Sequence, residues 1–194
     1  MTVKDIVARN RSYRRFREQT TVTEGTLREL VELARQSPSA RNAQPLKYVL
    51  SCGPRMNARV FETLSWAGAL KDWDGPVPGE RPTAYVVILL DTGISSNVGH
   101  DAGIAAQSIL LGAVERGLGG CMIASVRRSQ LADILSVPSG LEISLVIALG
   151  EPLEQVVLED APLGGPVTYY REPDGTHHVP KRRLEELVID VYKE

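Results

Sequence analysis

The chain has 194 residues, which is long enough for one folded domain with a substantial core. Its formal net charge of −2 at pH 7 gives no electrostatic reason to expect a nucleic acid or an anionic membrane as partner. The first twenty residues lack the apolar segment of a secretory signal, and the longest apolar run, residues 84–90, is too short to span a bilayer. We therefore expect a single domain over residues 1–194, located in the cytoplasm, with both cysteines reduced in the core.

Hydrophobic periodicity and capping residues predict helices and strands that alternate along the chain. In chain order these are helices over 1–9 and 23–36, a strand over 47–51, a helix over 55–70, a strand over 84–91, a helix over 101–117, an extended segment over 121–125, a helix over 129–135, a strand over 144–149, a short edge strand from Tyr169 and a helix over 184–191. Residues 154–167 are expected to be an irregular excursion. The alternation predicts an α/β fold.

The joint between the second helix and the first strand, residues 38–45, reads Pro-Ser-Ala-Arg-Asn-Ala-Gln-Pro. Two prolines bracket small and amide-bearing residues, which together offer backbone N–H groups, amides and a hydroxyl. Such a joint suits a polar planar ligand, although an ordinary helix-to-strand loop has the same composition.

Basic residues cluster near both ends of the chain. Five arginines fall within residues 9–17, and Lys181 and Arg183 follow at the other end. The clusters fit either a solvated basic surface or a phosphate group, which arginine binds in bidentate fashion. A phosphate-bearing cofactor would account for both clusters at once.

Residues 71–82 form the least regular stretch, with three prolines, two glycines and Trp73. The stretch is compatible with a lid over a site and equally with a surface excursion held by one tryptophan.

Several catalytic motifs are missing from the sequence: the dinucleotide glycine fingerprint, the Walker loop, G-x-S-x-G, H-E-x-x-H and C-x-x-C. His177 and His178 are adjacent on an extended segment, so their side chains should point to opposite faces. We therefore expect no metal site.

Four motifs in series resemble the nitroreductase-like flavoprotein family. They are Arg11-Ser12-x-Arg14, Pro38-Ser39-x-x-Asn42-x-Gln44-Pro45, the stretch 102–125 with its Gly-Leu-Gly-Gly-Cys segment, and Val179-Pro180-Lys181-Arg182-Arg183-Leu184. The resemblance implies a homodimer that binds FMN in a cleft between subunits. It also implies a central, mostly antiparallel sheet of four to five strands flanked by helices.

The resemblance further implies a set of flavin-binding residues. Arg11, Lys181 and Arg183 would hold the phosphate beside Ser12, and Arg14 would lie near the ribityl chain and the N1/O2 edge of the ring. Asn42 would face the ring, with Pro38, Ser39 and Ala40 supplied by the partner chain in many members. The backbone of Ile123, Ala124 and Ser125 would lie near N5 and O4. The sequence departs from the family pattern at Asn10, Ala40 and Leu46, which bears on individual phosphate and ribityl contacts.

The implied activity is that of an FMN-dependent NAD(P)H oxidoreductase. NAD(P)H would pass a hydride to flavin N5, and a small acceptor such as a nitroaromatic or a quinone would then take two electrons in the same pocket, which gives ping-pong kinetics. The cofactor carries the redox chemistry, so no catalytic side chain is expected. Two alternatives are an FMN-binding dimer that stores, senses or cleaves flavin, and a non-flavin interaction protein with basic termini.

Overall fold

A four-stranded antiparallel sheet lies at the centre of the protein in the computed structural model, which describes residues 1–70 and 72–193. The helices are α1 Val3–Arg9, α2 Glu24–Gln36, α3 Pro54–Phe61, α4 Asp101–Glu115, α5 Arg128–Leu135 and α6 Leu184–Leu187. The strands are β1 Leu46–Ser51, β2 Ala84–Asp91, β3 Gly119–Ile123, β4 Leu141–Gly150, β5 Val156–Asp160, β6 Tyr170–Arg171 and β7 His177–Lys181.

The central sheet has the strand order β1-β2-β4-β3, with every neighbouring pair antiparallel. Side chains alternate along the buried strand β2. Val86 and Ile88 pack with α2 and α4 on one face, whereas Tyr85 and Val87 pack with α3 and α5 on the other. Helices therefore cover both faces of an antiparallel sheet, which confirms the predicted fold.

The first two helices begin where their capping residues predicted. Thr2 and Asp5 form a capping box at α1, and the Thr23 hydroxyl accepts a hydrogen bond from the backbone amide of Thr26 at α2. Helix α4 is mostly buried, as its apolar faces indicated, and ends just before Gly117, which adopts a φ of +73°.

A second, three-stranded sheet has the order β5-β7-β6, with β5 parallel to β7 and β6 antiparallel to it. The prediction of an irregular excursion over residues 154–167 is therefore wrong for Val156–Asp160, which form β5. This strand pairs with residues about twenty positions further along the chain, and local sequence carries no signal for such a pairing.

Two predicted helices are shorter in the structure. Helix α3 ends at Phe61 rather than at residue 70, because the chain turns at Thr63, whose hydroxyl donates to the Val60 carbonyl, and Leu64 pairs with Val126. Helix α6 covers only Leu184–Leu187, and residues 188–193 carry no regular secondary structure. The apolar side chains there are exposed, so no packing supports a longer helix. None of the described helices is long and apolar enough to cross a membrane.

Candidate functional site

The basic turn at residues 11–14 lies against strand β3. Ser12 pairs with Gly120 in a parallel bridge, and the backbone amide of Tyr13 donates to the Gly120 carbonyl at 3.0 Å. A β-carbon at Gly120 would lie 2.5 Å from the Ala148 carbonyl oxygen. Glycine at this position therefore allows β3, which holds the basic turn, to pack closely against β4 and α4.

The carboxylate of Glu154 holds the same turn from the other side. Its side chain is fully buried, and it accepts hydrogen bonds from the backbone amides of Arg14 and Arg15. Its second oxygen accepts from the guanidinium of Arg171 at 2.9 Å. Sequence reasoning missed this residue, since a single glutamate within a predicted excursion carries no functional signal.

The arginines of the basic run differ in their partners. Arg15 forms a bidentate pair with Glu80, which raises the pKa of the arginine, and Arg17 pairs with Glu151 at 3.1 Å. In the described part of the chain, the Arg11 and Arg14 guanidinium groups donate only to backbone carbonyls.

The guanidinium group of Arg11 is partly buried without a compensating carboxylate among the described residues. Burial lowers its pKa, and its Nε atom is buried without a hydrogen-bond partner in the described part of the protein. No described carboxylate pairs with Arg11 or Arg14. An anionic ligand would supply the negative charge that these two cations lack.

These two cations line a cavity of about 310 Å³. Its lining consists of Asn10, Arg11, Ser12, Arg14, Gln107, Leu110, Met122, Tyr169, His177, Val179 and Lys181. Strand β7 contributes alternate residues to this cavity, so Lys181 lies on the same face as His177. Residues from opposite ends of the chain, predicted to share a phosphate, therefore line one cavity.

His177 is a member of this site that sequence reasoning missed. Only 2% of the residue is exposed, and its Nδ1 atom has no hydrogen-bond partner among the described residues. Burial, with a smaller contribution from Arg14, lowers its pKa to about 4, so the imidazole is neutral at pH 7. Its neighbour His178 lies near Glu159 and Glu172 instead. The described residues contain no group of three or more side chains suited to a metal ion.

A neighbouring cavity of about 200 Å³ shares Arg14, Met122 and Tyr169 with the first. The guanidinium of Arg14 lies 5.1 Å from the centre of the Tyr169 ring. Ile123, Ala124 and Ser125 line this second cavity together with Ser65, Trp66, Ala67 and Gly68. The segment predicted to contact the flavin ring is thus adjacent to the cationic cavity, with Arg14 common to both.

The proline-flanked joint lies elsewhere on the same protomer. Pro38 and Ser39 line a separate cavity of about 210 Å³, where the Ser39 hydroxyl donates to the carboxylate of Asp101. Ala40 and Asn42 are exposed. Arg41, Asn42 and Gln44 adopt positive φ angles of 51–56°, and three such non-glycine residues in one exposed loop indicate backbone strain of the kind found at functional sites.

Arg183 is the other predicted site residue that lies apart from the cationic cavity. It is exposed, its Nε atom donates to the Ala161 carbonyl at 3.4 Å, and the cavity lining among the described residues does not include it. Within one protomer, the structure brings together Arg11, Ser12, Arg14 and Lys181 beside residues 123–125, and separates them from residues 38–42 and from Arg183.

The stretch considered as a lid is held in place at several points. Trp73 lies beneath the guanidinium of Arg171 at 4.7 Å, a β-carbon at Gly75 would lie 2.6 Å from the Trp66 ring, and Glu80 pairs with Arg15. Lys71, the first residue of that stretch, lies outside the described residues. These contacts favour a packed excursion adjoining the basic turn.

Comparison with known proteins gives one family match. A sequence model of the nitroreductase family matches residues 7–151. The fold is similar to that of a nitroreductase family protein from Clostridium novyi NT, with 22% identity, a TM-score of 0.65 and coverage of 78% of this chain and 87% of that chain. It is also similar to an FMN-dependent nitroreductase from Clostridium difficile R20291, with 21% identity, a TM-score of 0.63 and coverage of 77% and 87%. A third similar structure is the NADPH:FMN oxidoreductase from Vibrio harveyi complexed with NAD⁺, with 19% identity, a TM-score of 0.61 and coverage of 77% and 68%.

Proposed function

The chain belongs to the nitroreductase family, and on that premise we propose that it is an FMN-dependent NAD(P)H oxidoreductase that reduces a small acceptor such as a nitroaromatic or a quinone. Two structurally similar proteins are named as FMN-dependent or FMN-linked enzymes, and one of them was solved with NAD⁺. The proposal extends these properties to this chain because its own residues fit the cofactor.

The observation that carries the proposal is the cavity that Arg11, Arg14 and Lys181 share. Three cations line it, and neither arginine has a carboxylate partner in the part of the chain that the structure describes. A phosphate monoester carries up to about two negative charges at neutral pH and accepts several hydrogen bonds. FMN bears this group, so the donor set fits the phosphate end of the cofactor.

The residues have distinct proposed roles. Arg11, Lys181 and the Ser12 hydroxyl bind the phosphate, and the buried imidazole of His177 excludes water from the same cavity. Arg14 lines both cavities, so its positive charge favours the anionic form of a ring in the second cavity. Residues 123–125 present backbone groups along that cavity. FMN, when bound, supplies the two-electron chemistry, and we assign no side chain a catalytic role.

We also propose that the protein acts as a homodimer. Arg41 and Asn42 are exposed and adopt positive φ angles, and none of residues 38–42 lines the cationic cavity of its own protomer. We infer that a second protomer brings this loop to the cavity. Large apolar side chains are exposed at both ends of the chain, as an interface requires. They include Val3, Leu184, Leu187, Ile189 and Tyr192.

Absorption spectroscopy tests the proposal most directly. Protein reconstituted with excess FMN and freed of unbound flavin should show the flavin bands near one equivalent per chain. Anaerobic NADH or NADPH should bleach these bands, and a nitroaromatic or a quinone should restore them.

Protein that retains no flavin after reconstitution would exclude the proposal. Bleaching without restoration by any acceptor would favour a flavin-storing or flavin-sensing dimer. Native mass spectrometry of the same sample measures the oligomeric state.

A further inference from the structure

A further cavity, of about 200 Å³, lies between α3 and the residues that lead into β2. Its lining consists of Glu18, Thr21, Cys52, Pro54, Asn57, Ala58, Phe61, Arg81, Pro82, Thr83 and Tyr85. None of these described residues lines the two cavities assigned to the flavin. The proposed oxidoreductase activity therefore leaves this cavity without a role.

Buried polar atoms without partners are concentrated at this cavity. Eight such side-chain atoms occur in residues 1–70 and 72–193, and three of them belong to its lining: Arg81 Nε, Thr83 Oγ1 and the Tyr85 hydroxyl. Tyr85 is fully buried. Buried polar groups in folded proteins are nearly always hydrogen-bonded, so three at one cavity indicate a missing partner.

Asn57, the amide side chain in the lining, is not free to supply that partner. Asn57 donates through Nδ2 to the Thr83 carbonyl at 2.7 Å and accepts through Oδ1 from the Ser51 hydroxyl at 2.7 Å. The amide thereby connects α3 to β1 and to the start of β2, and both of its polar atoms are engaged. The cavity is accordingly built against α3 and the start of β2, with Tyr85 in the strand and Arg81 and Thr83 in the segment just before it.

The described lining of the cavity contains one cation, Arg81, and one carboxylate, Glu18. The Arg81 guanidinium lies 4.4 Å from the centre of the Phe61 ring, and Arg81 forms no ion pair with any residue that the structure describes. The carboxylate in the lining, Glu18, accepts hydrogen bonds from the backbone amides of Gly79 and Arg81, which fix the position of one of its oxygens. Burial raises the pKa of Tyr85, so its hydroxyl remains a donor at neutral pH.

We propose that this cavity binds a small carboxylate with an apolar body. The carboxylate accepts hydrogen bonds from Arg81 and from the hydroxyls of Thr83 and Tyr85, because arginine and hydroxyl donors recognise a planar anion together. The apolar body lies against Phe61 and Pro82. This inference stands on the cavity alone and does not depend on flavin binding.

Benzoate is a suitable probe, with benzamide as its neutral isostere. The full chain, isotopically labelled and saturated with FMN, is titrated with each compound while backbone amide shifts are recorded. Benzoate should shift the amides of Asn57, Thr83 and Tyr85 saturably and bind at least about tenfold more tightly than benzamide. Equal affinity for the two compounds would contradict recognition of the charge. No saturable shift, or shifts confined to Ser12 and Arg14, would overturn the proposal.

Three variants separate ligand binding from a structural role. Arg81→Gln should weaken benzoate binding by about tenfold or more, because it removes the cation. Tyr85→Phe should weaken it severalfold while leaving the urea midpoint unchanged or higher, since it removes an unpartnered hydroxyl. Arg59→Gln makes the same charge change on the exposed side of α3, outside the cavity, and should leave binding unaltered. A Tyr85→Phe protein that is less stable yet binds benzoate normally would show that the hydroxyl only holds buried water, which would also contradict the proposal.

Discussion

The buried carboxylate of Glu154 accepts a hydrogen bond from the backbone amide of Arg14, a residue 140 positions earlier in the chain. The same carboxylate pairs with Arg171, whose side chain is 15% exposed. The orientation of the basic turn is therefore set by a residue that lies just before β5 of the second sheet. Arg14 can line both proposed flavin cavities because its backbone is held at this point.

Replacing Glu154 with glutamine should destabilise the protein. The change keeps the shape but removes the charge, and it leaves the Arg171 guanidinium buried without its carboxylate. Breaking a buried pair in this way costs about 3 kcal/mol, which urea denaturation will measure. The Glu185→Gln variant, altered at an exposed residue of α6, is the matched control and should lose less than about 0.5 kcal/mol. A Glu154→Gln protein as stable as this control would refute the structural role.

Arg11→Gln should selectively weaken the binding of the phosphate group of FMN. We expect FMN affinity to fall about 10- to 100-fold, while affinity for riboflavin, which has no phosphate, changes little. Quenching of flavin fluorescence measures both affinities. Arg17→Gln changes another arginine of the same run, but one that pairs with Glu151, and it should bind both flavins as the unaltered protein does. An equal loss for FMN and riboflavin in Arg11→Gln would contradict a phosphate-binding role.

The elements that sequence predicted best are those determined by short-range patterns. Helix α2 follows from Thr23 and the spacing of its apolar residues, and β2 follows from a continuous apolar run. Strand β5 and the end of α3 depend on partners that are distant in the sequence. Helix α6 ends early because the apolar side chains of the described residues after it are exposed and give it no packing support. Local sequence patterns carry no information about either. The same distinction explains the misjudged excursion over residues 154–167.

The candidate site shows a similar division. The basic motif predicted Lys181, which lines the cationic cavity, and strand alternation could have added His177, four positions earlier on the same face of β7. Glu154 and Gln107 had no such signal, because their importance arises only from the tertiary neighbours that the fold gives them. Whether residues 38–42 and Arg183 reach the flavin is a question about the assembly, and it stays a prediction.

His177 should make stability depend on pH in a defined window. Its pKa in the folded protein is about 4, whereas an unfolded imidazole has a pKa of about 6.5. The unfolded state therefore binds the proton first as the pH falls, so the stabilisation is complete above about pH 7 and is lost progressively between about pH 6.5 and 4. The full effect is at most about 3 kcal/mol.

Urea denaturation of flavin-free protein at several pH values between 7.5 and 4.5 measures this effect. Flavin-free protein is used because a bound phosphate would change the charge near the imidazole. His177→Gln should show a smaller loss of stability over this range than the unaltered protein, and His100→Gln, altered at an exposed residue, should follow the unaltered protein. Parallel curves for His177→Gln and the unaltered protein would show that His177 does not titrate as its burial requires.

Gly120→Ala should destabilise the protein and disturb the basic turn together. The added β-carbon would lie 2.5 Å from the Ala148 carbonyl oxygen and 2.7 Å from Leu110, and the backbone oxygen in that contact belongs to the sheet and cannot move aside. Overpacking of this kind costs about 1–3 kcal/mol. Because Gly120 also accepts the hydrogen bond from Tyr13, a shift of β3 should lower FMN affinity as well.

Gly25→Ala is the matched control, since its β-carbon would be 3.7 Å from the nearest atom and alanine favours a helix by about 0.5–1 kcal/mol. Urea denaturation should therefore move the two alanine variants in opposite directions, and a Gly120→Ala protein with unaltered stability and FMN affinity would refute the close packing of β3 against β4 and α4.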